Sequence, residues 1–296
     1  MTIHRFFKHI LTLALVLVAY NGYSRGDDTV RILAIGNSFS MHAVEQNLSE
    51  LCRDAGKQVI IGHAFIDGSA LSRHAKNAKD GSAPYFYRKI TVDGTKSETP
   101  KSTLLDCVTD EPWNYISFHQ VSGDSGFENT YFPYLPDLMT FVKDNATNTD
   151  AQFILMQVWP YDANHKHPAY PRYGNSQDSM HRQVARTVDK VAKRVGIDII
   201  IPAGTALQNV RLNLPGVPVT RDGVHLNAGL GEFSAACVWF EKLFGGIRKN
   251  KFVPSNVPDD QAAIAKKAAY FAVKKPNETT IFVKSERDGK KGRSKK

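Results

Sequence analysis

The sequence is poor in cysteine and in long apolar runs. Its three cysteines, Cys52, Cys107 and Cys237, match no metal-ligand spacing. They permit one disulfide, but each lies in an apolar segment, where a buried thiol is the commoner state. After residue 24, no apolar run is long enough to span a bilayer. We therefore expect no redox chemistry, no metal, no cofactor and no integral membrane segment in the mature chain.

The two ends of the chain differ in composition from the rest. A basic start and an apolar stretch from Ile10 to Tyr20 precede small residues, which is typical of an export signal over residues 1–24. We expect a periplasmic or secreted protein. The formal net charge is +9, and residues 276–296 form a basic tail. Because residues 284–296 contain no aromatic side chain, we predict a disordered, solvated tail rather than a nucleic-acid-binding segment.

Apolar, β-branched runs alternate with segments of helical periodicity. The predicted strands are Val30–Ile35, Gln58–Ile61, Tyr115–Phe118, Phe153–Val158 and Ile197–Ile201. The predicted helices are His42–Ala55, Tyr134–Lys143, Ser179–Val195, Ala228–Phe244 and 258–273. This alternation predicts an α/β protein with three α/β/α layers and a flavodoxin-like, mostly parallel five-stranded sheet. One domain, residues 25–275, accommodates it.

Two segments interrupt the alternation. Residues 81–100 contain Asp93-Gly94 between short strand-like runs, which predicts a hairpin or excursion. Residues 160–176 combine prolines and glycines with tyrosines and histidines, which predicts a long ordered loop. Such loops often line functional sites, so we expect substrate contacts here. The candidates in or beside this loop are Trp159, Tyr161, His165, His167 and Tyr173, with Ser69 and Asp124 from other loops.

A serine and an Asp-x-x-His pair carry the chemistry that the sequence suggests. Ser38 follows the first predicted strand in Gly36-Asn37-Ser38-Phe39-Ser40, where it either caps a helix or serves as a nucleophile. Asp222 and His225 lie three residues apart late in the chain. At this spacing the carboxylate can orient the imidazole, leaving its other nitrogen free to accept a serine proton. Together they favour the nucleophile hypothesis for Ser38.

An acyl-transfer site also needs donors for the oxyanion. The Ser38 N–H is one candidate, and Gly68, after the second strand, is another because no side chain obstructs its N–H. Gln120, at the end of the third strand, is the candidate side-chain donor. An ordinary turn glycine and a solvated strand end are the alternative interpretations.

These blocks resemble those of the SGNH (GDSL-like) serine hydrolases over residues 29–246. The resemblance implies that Ser38 is the nucleophile, Gly68 an oxyanion donor, Asp222 the orienting carboxylate and His225 the base. Asn37 stands where an aspartate is commoner. The family's Gly-x-Asn-Asp block is absent, as in an uncharacterised bacterial branch with Gln at the asparagine position, so the resemblance assigns that donor role to Gln120.

The resemblance implies an exported ester hydrolase that removes acetyl or other short acyl groups from a carbohydrate. The predicted substrate contacts are Asn37 and three aromatic residues, Trp159, Tyr161 and Tyr173, whose rings would stack on sugar faces. Two alternatives stay open: a non-catalytic glycan-binding protein on the same fold, and an O-acyltransferase that uses the same residues. The partner in each case is an acylated carbohydrate or another small ester, and the sequence does not fix the oligomeric state.

Overall fold

A computed structural model describes residues 28–283. The predicted export signal, residues 1–24, lies outside them, as do residues 284–296 of the predicted tail. Within residues 28–283, no helix is long and apolar enough to cross a membrane.

Seven strands form one sheet in the order β4-β3-β2-β1-β5-β6-β7. Their bounds are β1 Val30–Gly36, β2 Val59–Phe65, β3 Tyr85–Ile90, β4 Lys96–Ser102, β5 Tyr115–Phe118, β6 Gln152–Met156 and β7 Ile199–Ile201. Five of them, β2, β1, β5, β6 and β7, pair in parallel in that order. This is the flavodoxin-like order, in which β2 lies on one side of β1 and the later parallel strands lie on the other side.

The predicted count of five strands was wrong because the hairpin joins the sheet. Strand β3 pairs antiparallel with β2, and β4 pairs antiparallel with β3. The Asp93-Gly94 turn predicted from sequence joins them, with Gly94 at a φ of 88°. Strand β4 is mostly exposed and rich in lysine, serine and threonine, so its sequence lacks the apolar alternation that identifies a strand.

Nine α-helices lie within residues 28–283. Their bounds are α1 Ser38–Val44, α2 Leu48–Asp54, α3 Leu71–Asp80, α4 Leu104–Thr109, α5 Tyr134–Asn145, α6 Gln177–Val195, α7 Ala203–Asn213, α8 Leu230–Phe244 and α9 Asp259–Lys274. Helices α3, α4 and α5 contact one another, and α8 contacts α1, α2, α7 and α9. With the sheet between these two groups, the molecule has the predicted three layers.

The predicted helix His42–Ala55 is two helices. The first helix ends at Val44, and α2 begins at Leu48, directly after Asn47, which has a left-handed φ of 64°. Helix α1 begins at Ser38 itself, four residues before the predicted start. The apolar periodicity continues across the break because both helices bury leucine, valine or phenylalanine in the same core.

Part of the predicted disordered tail is ordered. Asn213 on α7 accepts from the backbone N–H groups of Phe282 and Val283 and donates to the Thr280 carbonyl, at 2.7 to 2.9 Å. The Thr205 hydroxyl donates to the Pro276 carbonyl at 2.6 Å. Residues 276–283 therefore pack on the domain, beyond the boundary predicted at residue 275.

The three cysteines carry free thiols. Each is buried, and burial raises the pKa of the Cys52 thiol to about 12 and also raises the pKa of Cys107 and Cys237. These thiols pack as small apolar groups in the core.

Candidate active site

Ser38 lies where β1 turns into α1, at the carboxyl edge of the sheet. Asn37 caps the helix: its Oδ1 accepts from the Phe39 N–H at 3.0 Å. Gly36 makes this turn possible, because a Cβ there would lie 2.1 Å from Cε1 of the buried His119. In parallel sheets this edge, next to the strand where the order reverses, is the usual ligand site.

The structure brings Ser38, His225 and Asp222 together. Nε2 of His225 lies 3.2 Å from the Ser38 Oγ, and Nδ1 lies 2.7 Å from the Asp222 Oδ2. A carboxylate can only accept, so Nδ1 carries the proton and Nε2 presents a lone pair to the hydroxyl. This arrangement can deprotonate a serine that attacks a carbonyl.

Asp222 organises the turn as well as the ring. Its Oδ1 accepts from the backbone N–H groups of Val224 at 2.9 Å and His225 at 2.7 Å. Partial burial alone would raise the pKa of Asp222, but the hydrogen bonds from the His225 backbone and ring and from Val224 hold this pKa well below its usual value. The carboxylate therefore stays ionised at neutral pH and well below it.

A second serine–histidine–acid set lies next to the first and consists of Ser40, His63 and Glu45. The Ser40 Oγ lies 2.7 Å from Nε2 of His63, and Nδ1 of His63 contacts Glu45. Burial alone would raise the pKa of Glu45, but His63 and Arg88 bring it below its usual value. Sequence reasoning missed this set because its residues carry no recognisable spacing.

Exposure and hydrogen bonding distinguish the two sets. Ser40 is 1% exposed and His63 is fully buried, whereas Ser38 is 7% exposed and the His225 side chain 31%. The Ser40 hydroxyl donates to the Asn37 carbonyl at 2.9 Å, so its proton is not directed at His63. The Ser40 set therefore supports the turn, and only the Ser38 set is open to a substrate.

Gly68 lies in an exposed turn between β2 and α3, with a left-handed φ of 58°. This loop is tied to the turn that carries Ser38, because Nδ2 of Asn37 donates to the Ser69 carbonyl at 2.9 Å. In residues 28–283, neither the Ser38 N–H nor the Gly68 N–H donates to a protein acceptor. Both groups therefore remain available for an oxyanion.

The predicted role of Gln120 as an oxyanion donor is not supported. Its Oε1 accepts from the Leu71 N–H at 3.1 Å and the Val121 N–H at 2.9 Å, and its Nε2 donates to the Thr130 carbonyl at 2.7 Å. The residue is 2% exposed. Gln120 therefore anchors the start of α3, and with it the Gly68 loop.

The four side chains predicted to contact the substrate are all buried in this structure. Trp159 and Tyr161 are fully buried, and Tyr173 and Asn37 are each 1% exposed. The sequence showed aromatic rings in a polar loop but not that the loop folds inward over them. Their contacts position the site instead of lining it.

Trp159 links the two halves of the site. Its ring stacks on Phe39, with centroids 4.4 Å apart, and its Nε1 donates to the Val224 carbonyl at 2.8 Å. Phe39 follows Ser38, and Val224 precedes His225. One buried side chain therefore fixes α1, which begins at Ser38, relative to the turn that carries His225.

His225 also has a neighbour that sequence reasoning missed. Nδ1 of His42 lies 2.7 Å from Oε1 of Glu232 on α8, and the His42 ring centroid is 5.8 Å from that of His225. The His42 Nε2 is buried without a hydrogen-bond partner. The available signal was spacing, since His42 lies four residues after Ser38, on the same helical face.

The side chains of residues 28–283 include no group of three potential ligands that could hold a metal.

A family model for DUF4886, a domain of unknown function, matches residues 31–272. The chain belongs to the DUF4886 family. A crystal structure of a DUF4886 family protein from Bacteroides uniformis ATCC 8492 is 38% identical, with a TM-score of 0.83, over 86% of this chain and 98% of that one. No curated protein matches.

Two further solved structures have much lower sequence identity to this chain. An acetyl-xylooligosaccharide esterase from Geobacillus is 13% identical, with a TM-score of 0.49, over 73% of this chain and 94% of that one. An alpha/beta hydrolase enzyme from the metagenome of Lake Arreo, Spain, is 12% identical, with a TM-score of 0.45, over 72% and 94%. At this level of similarity, neither assigns chemistry to this DUF4886 protein.

Proposed function

We propose that this DUF4886 protein is a serine ester hydrolase of the SGNH type. The observation that carries the proposal is the contact of His225 Nε2 with the Ser38 Oγ at 3.2 Å, with Asp222 holding Nδ1 at 2.7 Å. In this proposal Ser38 is the nucleophile, His225 the base and Asp222 the group that orients it.

The proposed reaction has two steps. In the first, His225 takes the Ser38 proton as Oγ bonds to the acyl carbon, and the oxyanion accepts from the Ser38 and Gly68 N–H groups. His225 then protonates the departing alkoxide, which leaves as the alcohol. In the second, water loses a proton to His225 and attacks the acyl-serine, so that the carboxylic acid leaves and Ser38 regains its proton.

We further propose that the substrate is an acetyl or other short acyl ester of a carbohydrate, and that the protein acts outside the cytoplasm. The motif resemblance and the predicted export signal support these points. With Trp159, Tyr161 and Tyr173 buried, sugar recognition would depend on hydrogen bonding rather than on ring stacking.

Hydrolysis of p-nitrophenyl acetate tests the proposal. We expect the Ser38→Ala variant to lose activity by at least three orders of magnitude, the usual scale for removing a triad nucleophile. A fluorophosphonate should add to Ser38 alone in the native protein, as read by peptide mass spectrometry.

Ser40→Ala is the matched control, because it removes the other serine of the turn. It should keep the phosphonate adduct on Ser38. Equal hydrolysis rates for the native protein and the Ser38→Ala variant, or an adduct on Ser40, would refute the assignment.

A further inference from the structure

The loop between β6 and α6 places two half-buried imidazoles beside the Asp222–His225 turn. The rings of His165 and His167 lie 6.2 Å apart, and they pack on the buried Tyr161 at 5.7 and 4.5 Å between centroids. The Tyr161 hydroxyl is 2.9 Å from the Ser122 Oγ, and this contact holds the Tyr161 ring in the core. The two imidazoles therefore rest on a rigid base.

Both imidazoles have a fixed tautomer. Nδ1 of His165 accepts from the His167 N–H at 2.9 Å, and Nδ1 of His167 accepts from the Ala169 N–H at 3.1 Å. A backbone N–H can only donate, so each Nδ1 must carry a lone pair and each Nε2 the proton. Burial, followed by the proximity of His165, lowers the pKa of His167. The structure thus presents two neutral N–H donors.

The two rings border the candidate active site. A Cβ on Gly223 would lie 2.5 Å from Cδ2 of His165, and a Cβ on Gly123 would lie 3.7 Å from Cε1 of His167. Gly223 follows Asp222 directly, and its carbonyl accepts from the Asp162 N–H of the same loop at 2.8 Å. The pair therefore spans the rim between the loop after β5 and the turn that carries His225.

Within residues 28–283, neither Nε2 of this pair has a protein acceptor, and no third metal ligand accompanies them. Two uncharged donors at fixed separation suit hydroxyl and ether oxygens. A charged ligand would be better served by guanidinium or ammonium groups.

We propose that His165 and His167 form the subsite for the alcohol part of the substrate, donating from Nε2 to the oxygens of a carbohydrate. This inference rests on the proposed ester hydrolysis and specifies its leaving group. It also replaces the ring stacking that the sequence had suggested.

The first test compares two acetyl esters. Mono-acetylated xylobiose offers hydroxyl and ether oxygens to the pair, whereas the alcohol part of p-nitrophenyl acetate has no sugar oxygens. We expect His165→Phe and His167→Phe each to lower kcat/KM for the xylobiose ester by about 2- to 10-fold, the scale of one hydrogen bond. The loss should appear in KM, and hydrolysis of p-nitrophenyl acetate should change less than about 2-fold.

Glutamine variants separate the donor from the shape of the loop. Both Phe and Gln remove the Nδ1 acceptor of the loop, but the Gln side-chain amide places an N–H donor near the position of Nε2. We expect His165→Gln to recover part of the activity lost in His165→Phe. Lys166→Ala, an exposed position between the two histidines, is the control for a general effect of substitution in the loop. Equal losses on both esters, or no difference between Phe and Gln, would overturn the subsite.

A binding experiment keeps the subsite separate from the proposed catalysis. Unacetylated xylobiose is titrated into the Ser38→Ala variant while the imidazole Cε1–H signals are followed by NMR. We expect the signals of His165 and His167 to shift and that of the buried His119 to stay unchanged. If these shifts occur in the Ser38→Ala variant while the native protein hydrolyses neither ester, the subsite stands and the hydrolase proposal falls. Hydrolysis without these shifts overturns the subsite alone.

Discussion

Three buried, neutral histidines predict that the fold loses stability in mild acid. Burial lowers the pKa of His74 and His119 to about 3 and that of His181 to about 4. In the unfolded chain each returns to about 6.5. Because each folded pKa is depressed, the stability contribution is complete above pH 6.5 and declines as the pH falls towards the folded values.

The size of this effect follows from the shift in protonation. At about pH 5.5, one unit below the unfolded pKa, each unfolded histidine gains about 1.4 kcal/mol from proton binding that the folded state does not gain. Three such groups lower the free energy of unfolding by about 4 kcal/mol relative to pH 7.5. This is a large fraction of the 5 to 15 kcal/mol typical of a domain. Carboxylates contribute little in this interval because their unfolded pKa values are near 4.

Urea unfolding followed by tryptophan fluorescence measures the loss, since Trp113, Trp159 and Trp239 are all fully buried. The variant His181→Gln removes one of the three titrating groups. Its stability difference between pH 7.5 and 5.5 should shrink by about 1.4 kcal/mol, whatever its stability at pH 7.5. Equal stability of the native protein at the two pH values, or an unchanged difference in the variant, would refute this reasoning.

Three further substitutions test how the site is held. Asp222→Asn should lower kcat for p-nitrophenyl acetate by roughly four orders of magnitude, because an amide favours the wrong His225 tautomer; activity within tenfold of native would contradict this. Trp159→Phe should cost about 1 to 3 kcal/mol in urea unfolding, because the Val224 carbonyl loses its donor; an unchanged midpoint would contradict this. Gln120→Leu should lower the thermal midpoint as well as kcat, whereas a lost oxyanion donor would lower kcat alone.

Much of the fold was predictable from periodicity. The five parallel strands are short β-branched runs that are buried on both faces, which is the pattern that identifies them. The hairpin was predicted but not its place in the sheet, and helices α3, α4 and α7 were not predicted, because these features depend on pairing and packing with distant segments. Local propensity carries little of that information.

The contact among the three candidate catalytic residues was predictable from the sequence. Ser38, Asp222 and His225 were identified from their order and spacing, and the structure places them in contact. The roles of Gln120 and Trp159 were not, because an amide or an indole donates equally well to a ligand and to a backbone carbonyl. Only the burial of these groups decides between the two uses.

Burial also explains why one turn can contain two serine–histidine–acid sets without ambiguity. A nucleophile must lose its proton at the moment a carbonyl arrives, so its hydroxyl cannot already be committed to a backbone acceptor. Ser40 donates to the Asn37 carbonyl inside the core, while Ser38 faces His225 at the surface. The buried set holds the backbone from which the exposed set projects. The entropy of orienting the Ser38 hydroxyl is therefore lost during folding, before any substrate binds.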